Sequence, residues 1–393
     1  MRTSSNYCDR DAGPPRVAVC HITTVHPVFD TRIFHKECVS LAQAGYDVHL
    51  IACHGRNAVV DGVRIHALPL PPGRLRRMLF WPWRALDMAQ RIVPRPVLYH
   101  LHDPELLPAA QVLRLRGQRV IFDVHENIAE DLLCKPYLPR PARLAASWAY
   151  RFAEKLLTSG LPTVHVLEEI ARLYHPPRVV VRNLPRRERP NEPLEQAARA
   201  PAGRLRLIYV GVISSDRGAM TMLETLRLLL KDGADCELMI VGSTHEPGLR
   251  DRLVQAAQSD ELAGRVLLRG ALPYHRVLSE LQAADIGLCL LHPQGNYIRS
   301  LPTKVLEYMW AGLPVVASDF PIWRPLVADT NAGLMVPPAD AQAAAKAVRY
   351  MLDRPAQRQR MACLGRQAVQ TRFCWEVEQE NLLGLYRRLA GPP

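Results

Sequence analysis

Residues 17–52 read VAVCHITTVHPVFDTRIFHKECVSLAQAGYDVHLIA, and the order of patterns within them decides the fold class. Residues 17–22 form a short apolar run of the kind a buried strand needs. Phe34, Cys38, Leu41 and Ala42 then recur at helical spacing, and Gly45 ends that helix. Residues 48–52 are a second apolar run. Strand, helix and strand in that order predict a parallel pair joined by a helical crossover.

The alternation continues outward. Residues 63–68, 97–101, 120–124, 163–167 and 179–182 read as further strands. Residues 185–203 change character: they are rich in Pro, Arg, Glu and Ala, without apolar periodicity, and read as an interdomain linker. The pattern then restarts, with a strand at 205–210, a helix at 219–230 and strands at 237–241, 266–269 and 286–291. A short helix at 302–310 precedes a strand at 314–317, and helices follow at 341–351, 356–372 and 376–389. Two α/β domains are expected, 17–184 and 204–375, each a parallel sheet covered on both faces. No GxGxxG occurs in either half, which disfavours a nicotinamide or flavin enzyme.

Composition agrees. A chain of 393 residues, 48% hydrophobic and 22% charged, is that of a globular protein of two ordinary domains. No uninterrupted apolar run is long enough to span a bilayer. Residues 1–16 lack the apolar middle of a secretory signal and read as a frayed tail. The nine cysteines form no CxxC pair, which suits a reducing cytoplasm and argues against structural zinc. The net charge of +12 attracts anionic partners, although an Arg-rich, Lys-poor composition gives the same excess without a function.

Chemistry-bearing residues gather at strand ends, where open α/β sheets bind ligands. In the 23–32 segment, Asp30 or Thr31 can cap the following helix, and the free N–H groups beside them and Arg32 can face an anion. Tyr99-His100-Leu101-His102-Asp103-Pro104-Glu105 ends another strand, with Pro104 suited to a first helical turn. The two histidines are read as facing opposite sides of the strand, with His102, nearer its end, in the cleft beside Asp103. One of His125 and Glu126 is expected to be a cleft residue too. In the second half Gly211 lets the backbone approach a ligand, and Arg217, at a helix start, is a natural phosphate clamp. Pro302 and Thr303 open a helix whose unpaired N–H groups can hold a diphosphate. Lys304 adds charge there, and Glu307, one turn on, can accept from a ribose diol.

The run from Thr24 to Ala52, the segments 100–104 and 122–126, and Leu301-Pro302-Thr303-Lys304-Val305-Leu306-Glu307-Tyr308-Met309 together resemble the family 4, or group 1, glycosyltransferases. The likeness spans about 17–389. It implies a GT-B fold: two Rossmann-like domains facing across a cleft, acceptor mainly on the N-terminal one and nucleotide sugar, UDP- or GDP-linked, on the other. It also implies retention of anomeric configuration, no cofactor and no obligatory metal. The only DxD-like triplet, Asp9-Arg10-Asp11, lies in the tail. The helix 376–389 matches one that, in the family, crosses back to the first domain.

Residue by residue, the resemblance makes His102 a catalytic histidine near the reacting sugar. It makes Arg217 one of two basic diphosphate ligands, with Val212 at the other position. Glu307 matches the second of a pair of glutamates, the one on the ribose. Arg299 stands where the first would be, which departs from the pattern, and Lys304 would compensate. Arg217 and Lys304 are thus the expected catalytic cations, and Gly211, Thr303, Glu307 and Arg299 complete the expected donor site.

The segment 73–91 carries Arg74, Arg76, Arg77, Arg84 and Arg91 beside Leu75, Met78, Leu79, Leu86, Phe80, Trp81 and Trp83. It suits docking on an anionic inner membrane face, as a peripheral protein would do with a lipid-linked acceptor. The competing reading is a helix packed on the sheet and broken at Pro82. Two other functions compete: a sugar-nucleotide epimerase of the same fold, and a basic nucleic-acid-binding protein. The second predicts a concentrated basic patch with aromatics, which only 73–91 offers, so no nucleic-acid partner is expected.

Overall fold

The computed structural model describes residues 16–93, 98–125, 127–133, 139–187 and 197–393. Positions 1–15 of the expected tail, Glu126, Val97 and positions 188–196 of the expected linker lie outside them. The chain divides into two compact units, Met1–Arg182 with Glu378–Pro393, and Asn183–Val377.

The first unit is built on eight strands: β1 Ala18–Ile22, β2 Asp47–Cys53, β3 Ala58–Val60, β4 Val63–Leu68, β5 Leu98–Leu101, β6 Val120–Val124, β7 Thr163–His165 and β8 Arg178–Val180. Their order across the sheet is β3-β4-β2-β1-β5-β6-β7-β8. All neighbours are parallel except β3 and β4. β3 was not expected. It pairs with β4 through a tight turn at Asp61-Gly62, both with positive φ, of 49° and 80°. The first crossover begins as a π-helix, Ile33–Cys38, and continues as an α-helix, Val39–Gln43.

The helix Arg74–Ile92 runs unbroken through Pro82, contrary to the break expected there. An interior proline costs about 3 kcal/mol. Trp81, Ala85, Leu86 and Ala89 are buried on its inner side, and that burial offsets the loss. No described helix is long and apolar enough to cross a membrane.

The second unit has six strands: β9 Leu205–Val210, β10 Cys236–Val241, β11 Val266–Gly270, β12 Ile286–Cys289, β13 Val315–Ser318 and β14 Gly333–Val336. They lie in the order β11-β10-β9-β12-β13-β14, and all are parallel. β14, also unexpected, depends on its first residue: a Cβ on Gly333 would stand 2.0 Å from the Val315 carbonyl oxygen.

Both sheets follow one plan. From β1 the strands run outward as β2, β4 and β3 on one side, and the order resumes at β5 on the other; β9 with β10 and β11, and then β12, repeat this. The point where the order reverses opens a crevice beyond the carboxyl ends of the two central strands. In this chain those ends are Ile22 and Leu101 in one sheet, and Val210 and Cys289 in the other.

The final helix, Trp375–Ala390, returns the chain to the first unit at Glu378. Glu378 is buried and accepts from the Arg182 main-chain N–H at 2.8 Å and from its guanidinium Nε at 2.8 Å. Farther along, the buried Tyr386 hydroxyl lies 2.9 Å from His21 Nε2 and 2.8 Å from His100 Nδ1.

Candidate functional site

At the carboxyl ends of β1, β5 and β6 the first unit gathers its ionisable side chains. His21 and His100 are paired across β1 and β5, and both are fully buried. His21 Nδ1 lies 2.9 Å from His102 Nε2, and His102 Nδ1 lies 3.3 Å from Asp123 Oδ2. His100 and His102 therefore share one face, with ring centroids 4.5 Å apart, and the opposite-face reading is wrong. Side chains two apart on a strand point the same way. His102 is 1% exposed, so the residue expected to meet the reacting sugar lies inside the unit.

Burial holds these rings neutral. It is the main reason that His21 and His100 sit well below the usual histidine range, and it pushes His102 down to about 4 against the pull of Asp123. Arg32, also buried, grips Asp123 with Nε and Nη2, both at 3.0 Å, and donates from Nη1 to the Val181 carbonyl at 2.7 Å. Its Nε is also 3.0 Å from Glu37. The two carboxylates are driven apart. Burial and the Asp123 charge hold Glu37 well above its usual range, whereas Arg32, His125 and His102 overcome burial and keep Asp123 ionised. The ligand atoms of His21, Glu37, His100 and His102 lie within 4.8 Å of one another, as do those of His102, Asp123 and His125. Bonds among these groups and to Tyr386 already engage most of the nitrogens.

Nearer the surface, Asp103 is itself fully buried. Its Oδ2 accepts from the Thr23 hydroxyl at 2.9 Å and from the Thr24 and Val25 N–H groups at 2.5 and 3.2 Å. Its Oδ1 lies 2.8 Å from Nδ1 of His26, whose side chain is 27% exposed. His125, 16% exposed, stacks on His26 with centroids 4.8 Å apart and turns Nε2 to Asp123 at 3.0 Å. Asp30 caps the crossover helix: its Oδ1 accepts from the Arg32 and Ile33 N–H groups at 2.8 and 2.9 Å. Thr31 is exposed. Glu126 is outside the described residues.

The second unit has a different character. Gly211 follows β9 with φ +131°, and a Cβ there would stand 3.5 Å from Lys304 Nζ. That ammonium donates to the Tyr209 hydroxyl at 3.1 Å and lies 4.5 Å from the centre of the Tyr209 ring. Arg217 Nε donates to the Tyr297 hydroxyl at 3.1 Å. The turn carrying Arg217 is pressed against the end of β12, because a Cβ on Gly218, at φ +81°, would meet the Leu290 carbonyl oxygen at 2.0 Å. The next helix, Thr303–Ala311, is pinned at the reversal point by Tyr308. Its buried hydroxyl accepts from the Val210 N–H at 2.9 Å and reaches the Leu288 carbonyl at 3.4 Å, taking up the groups that β9 and β12 leave as they part. Lys304, one turn earlier, is thereby set over Gly211.

Lys304 and Arg217 are half-buried, and among the described residues neither forms an ion pair with a carboxylate. Burial first, and the neighbouring Arg217 charge, hold the Lys304 ammonium below its usual range. The helix start differs from expectation. The Thr303 N–H donates to Leu301 O at 3.0 Å, and the Val305 and Leu306 N–H groups to Pro302 O at 2.9 and 3.3 Å. A proline-led turn has folded back on the Thr303 and Val305 donors, which leaves fewer N–H groups there to meet an anion. Glu307 is half-buried on the same helix, and its charge supports that of Lys304. Arg299 is exposed in the short turn Gly295–Arg299, and Val212 is 43% exposed.

His21, His26, Glu37, Asp123, Tyr209, Tyr297 and Tyr386 were not singled out in the sequence. Ionisable residues inside apolar runs were the available signal for His21 and Asp123. Tyr386 carries no local signal, since its partners lie in strands hundreds of residues earlier.

The chain is similar to known proteins. Residues 191–368 match the family model for Glycosyl transferases group 1, and residues 31–169 that for the Glycosyl transferase 4-like domain. A phosphatidyl-myo-inositol mannosyltransferase of Mycolicibacterium smegmatis is 29% identical over 370 residues, covering 89% of this chain and 88% of that protein. Sucrose-phosphate synthase from Thermosynechococcus elongatus superposes with a TM-score of 0.72 at 20% identity, over 95% of this chain and 99% of that one. Anabaena HepE, solved in complex with UDP-glucose, gives 0.68 at 11% identity, over 95% and 100%.

Proposed function

The chain belongs to the group 1 glycosyltransferases, enzymes of GT-B fold that take a sugar from a nucleotide donor, and from that premise we propose how its own residues do so. The donor is a UDP- or GDP-linked hexose whose diphosphate sits against Arg217 and Lys304, with Gly211 leaving room and Glu307 receiving the ribose. One observation carries this reading: two half-buried cations stand side by side at the reversal point of the second sheet, neither of them in an ion pair with a carboxylate among the described residues. As the anomeric bond breaks, negative charge builds on the leaving diphosphate, and fixed cations aimed there lower the barrier. We propose transfer with retention, without metal, to a glycan, lipid-linked or small-molecule acceptor held by the first unit, in polysaccharide or glycoconjugate synthesis. The segment 73–91 supports docking on an anionic cytoplasmic membrane face. An epimerase is not favoured, since both family models are of transferases.

A thermal-shift panel of UDP, GDP, ADP and their sugar conjugates, without metal, tests the donor site. Ligand at a hundred times its dissociation constant adds about 2.7 kcal/mol. A selective rise in Tm with one nucleotide is expected, and no rise with any of them defeats the assignment.

A further inference from the structure

One helix of the first unit is built inside out. In Arg140–Thr158 the only buried residues are Ser147 and Thr158, both of them hydroxyl-bearing. Ser147 donates to the Ala129 carbonyl at 2.8 Å, and the half-buried Tyr150 hydroxyl donates to Glu154 at 3.0 Å. The large apolar side chains lie outside. Leu144, Trp148, Phe152 and Leu156 are exposed by 58%, 71%, 62% and 63%. Single exposed apolar residues are ordinary, but four in one row mark a surface that a partner covers. We propose that this face is the interface of a homodimer, in which the same helix of a second copy packs against it across a two-fold axis. The inference is independent of the donor chemistry above.

Shape selects a second copy. The four residues are spaced by four, so they form one continuous ridge along the helix. Pro141, Ala145, Ala149 and Ala153, also spaced by four and exposed, form the adjoining row. A row of bulky side chains therefore lies beside a row of small ones, a ridge beside a groove. Two such helices crossing at about −50° seat each ridge in the other's groove. A two-fold contact uses the same patch on both copies, so it requires a surface that complements itself in this way.

Charge favours a protein partner over a lipid surface. Lys155 is the single charge among the apolar residues of this face, and its stem can cover apolar surface while its ammonium reaches water. Arg151, at the border, is already held by Glu130 at 2.7 Å. The helix Arg74–Ile92 has the opposite make-up, with Arg74, Arg76, Arg77, Arg84 and Arg91 beside its apolar residues, as an anionic surface demands. The area also suffices. At their exposure Trp148 and Phe152 together offer about 250 Å². Leu144, Leu156 and the row of small residues bring the face toward the roughly 800 Å² per partner of a standard interface. Trp148 and Phe152, at the middle of the ridge, are placed to carry most of the affinity.

Sedimentation equilibrium of the full chain at micromolar concentration tests the proposal. The expected mass is that of two chains, and it persists in high salt, because an apolar contact is not screened. Trp148→Glu with Phe152→Glu is expected to weaken association at least about 100-fold. Both side chains stand in solvent in the monomer, so the circular dichroism spectrum should match the wild type. Ala149→Trp separates packing from mere stickiness: it adds apolar area but fills the groove, so the dimer is expected to dissociate. Unchanged or tighter association of that variant overturns the interface. Leu79→Glu with Phe80→Glu, on the other apolar helix, should remain dimeric. A wild-type chain that sediments as a monomer overturns the proposal. So does a dimer that Trp148→Glu with Phe152→Glu leaves intact, or one that Leu79→Glu with Phe80→Glu dissolves. A monomeric wild type whose flotation on anionic vesicles is abolished by Trp148→Glu with Phe152→Glu would show that the face meets lipid instead of a second copy.

Discussion

Two cations that repel each other are kept together only if something else needs them there. Burial and Arg217 both disfavour the charge on Lys304, and a bound diphosphate would relieve that cost. Arg217→Ala and Lys304→Ala are each expected to lower kcat on the order of 10²- to 10³-fold. Both should leave the unliganded Tm unchanged or raised, as measured by release of nucleoside diphosphate and by thermal melts. A fall in Tm with full turnover would make the pair structural. At this scale the sequence was legible in position: Gly211 follows β9, and Arg217 stands just before the helix Ala219–Lys231. It misled where depth decides. His102 and Asp103 are adjacent in a strand-end motif, yet Asp103 serves the surface through His26, and His102 serves the interior. Nothing in a local pattern reports which ring a second loop will cover.

Among the elements, strands were readable because buried parallel strands are written as apolar runs, and β4, β6 and β9 fall on the expected residues. β3 and β14 escaped the reading. The Asp61-Gly62 pair between β3 and β4 is the local mark of their hairpin. In the helix Arg74–Ile92 the helical spacing was legible, but the break at Pro82 in the competing reading was not borne out, since tertiary packing overrode the proline. Its outer side leaves Leu75, Leu79 and Phe80 exposed by 70%, 55% and 57% beside its arginines. Flotation with anionic vesicles at low salt is the expected behaviour, weakened by Leu79→Glu with Phe80→Glu and by added salt. A second helix, Arg140–Thr158, exposes Trp148 by 71% and Phe152 by 62%. Trp148→Glu is the control, and docking through 73–91 alone leaves it floating like the wild type. Failure of the unaltered chain to float would end the docking idea.

The whole molecule answers to pH unevenly. All described histidines that burial holds down, among them His21, His100, His102 and His165, belong to the first unit. His102 and His165 are pushed down to about 4. Unfolded, they titrate near 6.5, so the unfolded chain binds more protons in between. Their contribution is complete above pH 6.5 and is lost as pH falls toward 4, at roughly 1.4 kcal/mol per pH unit for each such histidine. Urea midpoints at pH 7.5, 6 and 5 should therefore decline steadily. A midpoint that holds from 7.5 to 5 would mean that these rings are not neutral and buried.

The hydroxyl of Tyr386 also sets an order of events during synthesis. It completes a core that begins at His21, yet it is made only after the whole of Asn183–Val377. At 5–20 residues per second the ribosome needs roughly 10 to 40 s to cross that stretch. For that interval the nascent first sheet waits with His21 and His100 lacking the Tyr386 hydroxyl, while the second unit, contiguous in the chain, can already close. The half that is born first is thus the half that finishes last.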